Sequence, residues 1–175
     1  MQLKREGIDY RLGDAIDPIN QSKQFVEAYA ADVARITDFN VGDDPSGLAK
    51  HLGARIHYQD ISEWAGESGS IFVHGMFDFD ICLPSYTHPL RDRFTVAHEL
   101  GHYYLHAGQG SNPIIAFRSG STLIEWEANW FAAALLMPKD QFTKAFQRSR
   151  DLFAVAREFK VSSAAAEVRK NVLNL

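Results

Sequence analysis

The sequence holds one cysteine, Cys82, among 175 residues. No internal disulfide can form, and no cysteine-based zinc knuckle is available. Long apolar runs are missing. The longest, Trp130 to Met137, falls far short of the roughly 20 residues a membrane-spanning helix needs. The opening stretch, Met-Gln-Leu-Lys-Arg-Glu-Gly, has no apolar centre of the kind a signal peptide carries. Internal repeats and low-complexity tracts are absent as well. These absences point to a cytoplasmic globular protein. An excess of positive charge is also lacking. The formal net charge is −4, which argues against a general nucleic-acid binder.

What is present suits a folded domain of ordinary composition, with 46% hydrophobic and 23% charged residues, enough to build a core at this length. The charge is unevenly spread. From Lys139 onward, eight Lys and Arg face four Asp and Glu; the first 138 residues hold ten against eighteen. The expected organisation is one domain over residues 1–175. Residues 1–17 are polar and expected to be loosely held, and 139–175 form a basic helical tail.

Phe25, Val26, Tyr29, Val33 and Ile36 recur at helical spacing and predict a helix over about 19–39. A short helix through Leu48 and Leu52 follows, closed by Gly53. Residues 54–58, 70–74 and 79–83 are rich in β-branched and aromatic side chains and predict strands, with a Gly/Ser-rich connection over 66–70. A helix over 91–106 ends at Ala107-Gly108-Gln109-Gly110. Residues 111–120 are expected as an irregular loop. A strongly apolar helix over 122–136 stops at Pro138, and short helices are expected over 140–147, 151–159 and 162–173. Helices, a small sheet, then helices make an α+β pattern.

The chemistry lies in His98-Glu99-Leu100-Gly101-His102. Histidines four apart on a helix sit about 40° apart around the axis and one turn along it, so both rings reach one ion from the same face. Zn²⁺ suits imidazole donors and tolerates an open position for water. Glu99 points about 100° away from His98 and is placed as the general base rather than as a ligand. A two-histidine site needs a third donor, and Glu125-Trp126-Glu127-Ala128-Asn129 on the next apolar helix offers one. Glu125 and Glu127 lie about 200° apart, so only one points at the metal. Glu125 is the choice. Asn129, one turn on, is placed to hydrogen-bond a ligand histidine, and Glu127 is expected to face solvent. His106 lies one turn beyond His102, too far for a third ligand, and is expected as a supporting or core histidine.

Phe79, Ile81 and Leu83 of the last strand are candidates for pairing an extended substrate along a sheet edge. Tyr86, His88 and Tyr103 are candidates for stabilising the oxyanion. Residues 151–173 carry a superficial helix-turn-helix pattern with Arg169 and Lys170 on the second helix. That helix is rich in alanine and poor in base-reading side chains. Packing on the catalytic part, or docking on an acidic protein surface, ranks above DNA contact.

Arg93 to His102, followed by Leu105-His106, resembles the core of the ImmA/IrrE-type metallopeptidases, and Glu125 to Pro138 is similar to that family's second signature. The resemblance spans roughly residues 45–173. It implies a compact zincin-like fold, with His98, His102 and Glu125 as zinc ligands and Glu99 as base. Glu125 also fits the ExxA[DN] pattern of wider zinc-peptidase groups. Pro84 departs from the polar residue that often ends the preceding strand in relatives. The resemblance further implies cleavage or inactivation of a partner helix-turn-helix repressor, in a mobile element or stress regulon. An antitoxin-like or sensor protein with little turnover is the alternative, and a DNA-binding regulator the third. The intact Glu99 favours the peptidase.

Overall fold

Side-chain caps set most helix limits. Helix α1 (Lys23–Ile36) begins where Ser22 accepts the Phe25 N–H at 3.2 Å. Helix α2 (Pro45–His51) begins at Asp44, which accepts the Ser46 N–H, and carries Pro45 in its first turn. The predicted start of α1 at residue 19 is therefore four residues early. Ile19 and Asn20 lie outside the helix and bond elsewhere. The computed structural model describes residues 3–60, 69–118 and 121–175. Within the Gly/Ser-rich connection, residues 66–68 lie outside the described residues.

Five described strands form one mixed sheet: β1 (Arg11–Leu12), β2 (Ala54–Gln59), β3 (Ser70–Gly75), β4 (Asp78–Pro84) and β5 (Ile114–Phe117), in the order β1-β5-β3-β4-β2. Strand β3 runs antiparallel to both neighbours, whereas β2 runs parallel to β4 and β1 parallel to β5. With the seven described helices this is an α+β fold consistent with a zincin-like domain. One apolar core joins Val26 and Ala30 of α1, Ile71 of β3, Phe79 and Ile81 of β4, and Phe131 and Leu135 further along the chain.

Three expectations need correction. Residues 114–117 form a strand where a loop was expected, because Ile114, Ile115 and Ala116 bury themselves by pairing with β3, some forty residues earlier. Strand β4 is not an edge. It lies between β3 and β2, and Phe79, Ile81 and Leu83 are fully buried, so the expected pairing of a substrate along a free edge has no edge here. The first 17 residues are not loose where they are described: Tyr10 and Ile16 are buried and β1 pairs with β5.

The tail folds as α5 (Lys139–Ser149), α6 (Leu152–Glu158) and α7 (Ser163–Val172), with Asp151 and Ser162 capping the last two. Phe142 and Phe159 pack 5.3 Å apart, both buried. Arg169 of α7 points inward at 2% exposure, donating to the Met137 carbonyl at 2.9 Å and to Glu27 at 2.5 Å. Half of the cationic pair on the supposed recognition helix therefore holds the tail to the body. No described helix is long and apolar enough to cross a membrane.

A polar cluster centred on the buried Asp80 and His74 ties the sheet together. Arg55 donates to Asp80 at 2.7 Å, and His57 and His74 approach it at 2.7 and 2.6 Å. The Tyr10 hydroxyl meets the other nitrogen of His74 at 2.5 Å. Burial opposes ionisation of Asp80, but the hydrogen bonds from Arg55, His57 and His74 outweigh it and hold the carboxyl below its ordinary range. Such a group stabilises the fold above the carboxylate range and loses that contribution as pH falls through it. Asp80→Asn is expected to lower the urea midpoint at pH 7, with the gap to wild type narrowing between about pH 5 and pH 2. A gap independent of pH would show that ionisation of Asp80 contributes nothing.

Candidate metal centre

Helix α3 (Pro89–Gly101) starts at His88, which accepts the Leu90 N–H at 3.2 Å, and buries every residue from Thr95 to Gly101. The helical path does not continue uniformly to His106 as expected. From His102 to His106 the chain makes one π-helical turn, closed by the Ala107 N–H on the His102 carbonyl at 2.9 Å. Widening the turn to i→i+5 changes how residues four apart line up, and such turns recur at functional sites. Helix α4 (Leu123–Leu136) carries Glu125 in its first turn and packs between α1 and α3.

The two helices bring three donor atoms together. His98 Nε2 and His102 Nε2 are 3.1 Å apart, and each lies 3.2 Å from an oxygen of Glu125. All three residues are buried. Ligands about 2.0–2.1 Å from a tetrahedral zinc stand roughly 3.3–3.4 Å from one another, so the set needs little adjustment to take the ion. Burial pushes the imidazoles of His98 and His102 down, against the pull of Glu125, so they are neutral at pH 7. Burial also works to raise Glu125, but His102 and His98 outweigh it and bring the carboxyl to about 2. Two neutral imidazoles and one carboxylate are the donor set of a catalytic zinc site with an open position.

Gly101 makes this contact possible. A Cβ there would stand 3.0 Å from Ala128 Cα and 3.1 Å from its carbonyl oxygen, both backbone atoms of α4. A side chain there would crowd the backbone of α4, the helix that carries Glu125. Gly69 sits against α3 as well: a Cβ there would lie 2.5 Å from Thr95 Cγ2 and 2.8 Å from Glu99 Oε1. Glu99 itself is fully buried.

The model of the IrrE N-terminal-like domain, a peptidase family, matches residues 49–171, well over half of the chain. The chain belongs to this family. The comparison with curated proteins returns no match. Membership of the IrrE N-terminal-like peptidases places the protein in a typically metal-dependent peptidase group, and among the described residues His98, His102 and Glu125 are the grouping of side chains that could hold a metal ion.

Within this IrrE-like domain the remaining expected residues fall in different places. Asn129 Oδ1 lies 3.0 Å from His98 Nδ1 and braces that ring from behind. Glu127 does not face solvent. It is fully buried and accepts the N–H groups of Ile19 and Asn20 at 3.0 and 2.9 Å, with His106 Nε2 at 2.9 Å. Helical angles told that Glu127 points away from Glu125, but not that the chain before α1 covers that side. The signal was a carboxylate in an apolar helix, which burial makes costly without donors. Tyr103 is packed away, stacked 4.3 Å from Phe79, with its hydroxyl accepting from the Phe77 N–H. His88 caps α3, and Tyr86 is exposed.

A cation missed at the sequence level is Arg118, just after β5. It donates to Thr95 Oγ1 at 2.8 Å and sits over Phe94. Burial lowers its pKa, while Glu99 and Glu125 supply the opposing charge. With Glu125 and Asn129 it lines a cavity of about 840 Å³ whose other walls include Phe94, Trp126, Trp130 and Val168. Only the pairing of β5 with β3 brings Arg118 here.

His98→Ala and Glu125→Gln are each expected to lower bound zinc per chain to near zero after dialysis, read by elemental analysis; retention of a full equivalent would refute the site. Gly101→Ala is expected to cost about 1–3 kcal/mol of stability in urea and to weaken zinc binding with it.

Proposed function

We propose that the protein is a zinc-dependent endopeptidase acting on a cognate helix-turn-helix repressor in the cytoplasm. The observation that carries the peptidase reading is the meeting of His98, His102 and Glu125 at 3.1–3.2 Å, with Glu99 between the two histidines in the chain. The family resemblance supports the repressor as substrate. The uneven charge supports a protein partner that meets the basic tail.

Zinc held by His98, His102 and Glu125 supplies Lewis-acid activation of a water and of the scissile carbonyl. Glu99 takes a proton from the attacking water and passes it to the leaving amine nitrogen. Its burial against Gly69 keeps the carboxylate away from bulk water. Arg118 is suited to donate to the carbonyl oxygen as negative charge builds there. The apolar cavity beside Glu125 has room for the side chains flanking the cleaved bond.

The test is to incubate the zinc-loaded protein with the regulator encoded beside it and to follow cleavage by mass spectrometry. Glu99→Gln is expected to retain zinc and to lose at least about 100-fold in rate. Equal cleavage by that variant would sink the assignment.

A further inference from the structure

Glu127, His106 and His102 form a continuous buried chain that ends at the metal centre. His102 Nδ1 lies 3.0 Å from His106 Nδ1, and His106 Nε2 lies 2.9 Å from Glu127 Oε2. His102, His106 and Glu127 are at most 7% exposed, so water cannot substitute for any partner. The far end is closed by main chain. Ile19 and Asn20 donate to the two oxygens of Glu127, and a backbone N–H can only donate.

We propose that Glu127 and His106 are positioning residues for the metal, setting which nitrogen of His102 carries its proton. This rests on the zinc reading above. The direction of the chain follows from donor counting. Both Glu127 oxygens already face backbone donors, so the carboxylate accepts again and His106 Nε2 holds the proton that meets it. A neutral imidazole has one N–H, so His106 Nδ1 is left with a lone pair. The proton between the two Nδ1 atoms then belongs to His102. Its Nε2 is left as a lone pair, aimed at His98 Nε2 and Glu125 Oε1, which lie 3.1 and 3.2 Å away.

Asn129 does the same for His98 in one step, accepting from its Nδ1. The two ligand histidines are thus prepared by different routes. One uses a side-chain amide of α4; the other uses a carboxylate of α4 acting through the π-helical turn. That turn sets His106 beside His102, with ring centroids 5.0 Å apart. Because Ile19 and Asn20 close the chain, the segment before α1 becomes part of the support of the metal site, although it lies about eighty residues away in sequence.

Two measurements on the full chain decide this. The first uses zinc-loaded protein labelled with ¹⁵N-histidine, and records by NMR which ring nitrogen is protonated. The proposal expects the proton on Nδ1 of His102 and on Nε2 of His106; a proton on Nδ1 of His106 overturns it. The second measures zinc affinity by competition with a chromophoric chelator for wild type, Glu127→Gln, His106→Phe and the double variant. His106→Phe leaves the Glu127 bonds to Ile19 and Asn20 intact, which separates positioning from anchoring. Each single variant is expected to bind zinc roughly 10–100-fold more weakly, and the double no more weakly than the worse single. Unchanged affinity in folded His106→Phe, or losses that multiply in the double, overturns the proposal. A wild type that takes up no zinc refutes the proposed function instead, and the proton position on His106 still decides the chain.

Discussion

The close approach of α3 and α4 governs the rest of the molecule. Gly101 lies against the backbone of Ala128, where a Cβ would stand only 3.0 Å from its Cα and 3.1 Å from its carbonyl oxygen. That contact brings the first turn of α4 to the histidines of α3. It also places α4 between two other layers, which is why the helix is so apolar. Burial then makes every polar residue on α4 answer to a partner. Glu125 answers to His98 and His102, Asn129 to His98, and Glu127 to His106 and the main chain of Ile19 and Asn20.

A second consequence is that the candidate metal centre is flanked by elements distant in sequence. Gly69, ahead of β3, closes on Glu99, and Arg118, after β5, reaches back to Thr95 of α3. The basic tail adds Arg169, whose buried guanidinium joins α7 to Glu27 of α1 and to the end of α4 at Met137. A buried cation of this kind persists only with its partners in place. The tail is therefore attached through charge as well as through Phe142, Phe159 and Val161.

Local patterns made the chemistry legible. His98 and His102 share a face because they are four apart, and Glu125 and Asn129 share one for the same reason. The helix breaks at Gly53 and Pro138 and the strand content of residues 54–58, 70–74 and 79–83 were equally local. What escaped was whatever depended on neighbours far along the chain. Residues 114–117 are too few to announce a strand without β3 beside them. The place of β4 inside the sheet follows from the parallel addition of β2, which strand composition does not encode.

Glu127 marks the boundary most sharply. Helical periodicity fixes its angle from Glu125, and that much was correct. Whether the far side of α4 meets water or protein is decided by where the chain before α1 runs, and Ser22, not Ile19, is where that helix starts. The sequence by itself determined the pairing of His98 with His102 on one helix face, the position of Glu99 between them in the chain and the α+β order, because each rests on spacing along one helix or strand. Only the tertiary structure decided which carboxylates are buried, which strand is interior and which cation faces the site. Those depend on contacts between residues tens of positions apart, and burial, rather than residue type, sets what each polar group must bond.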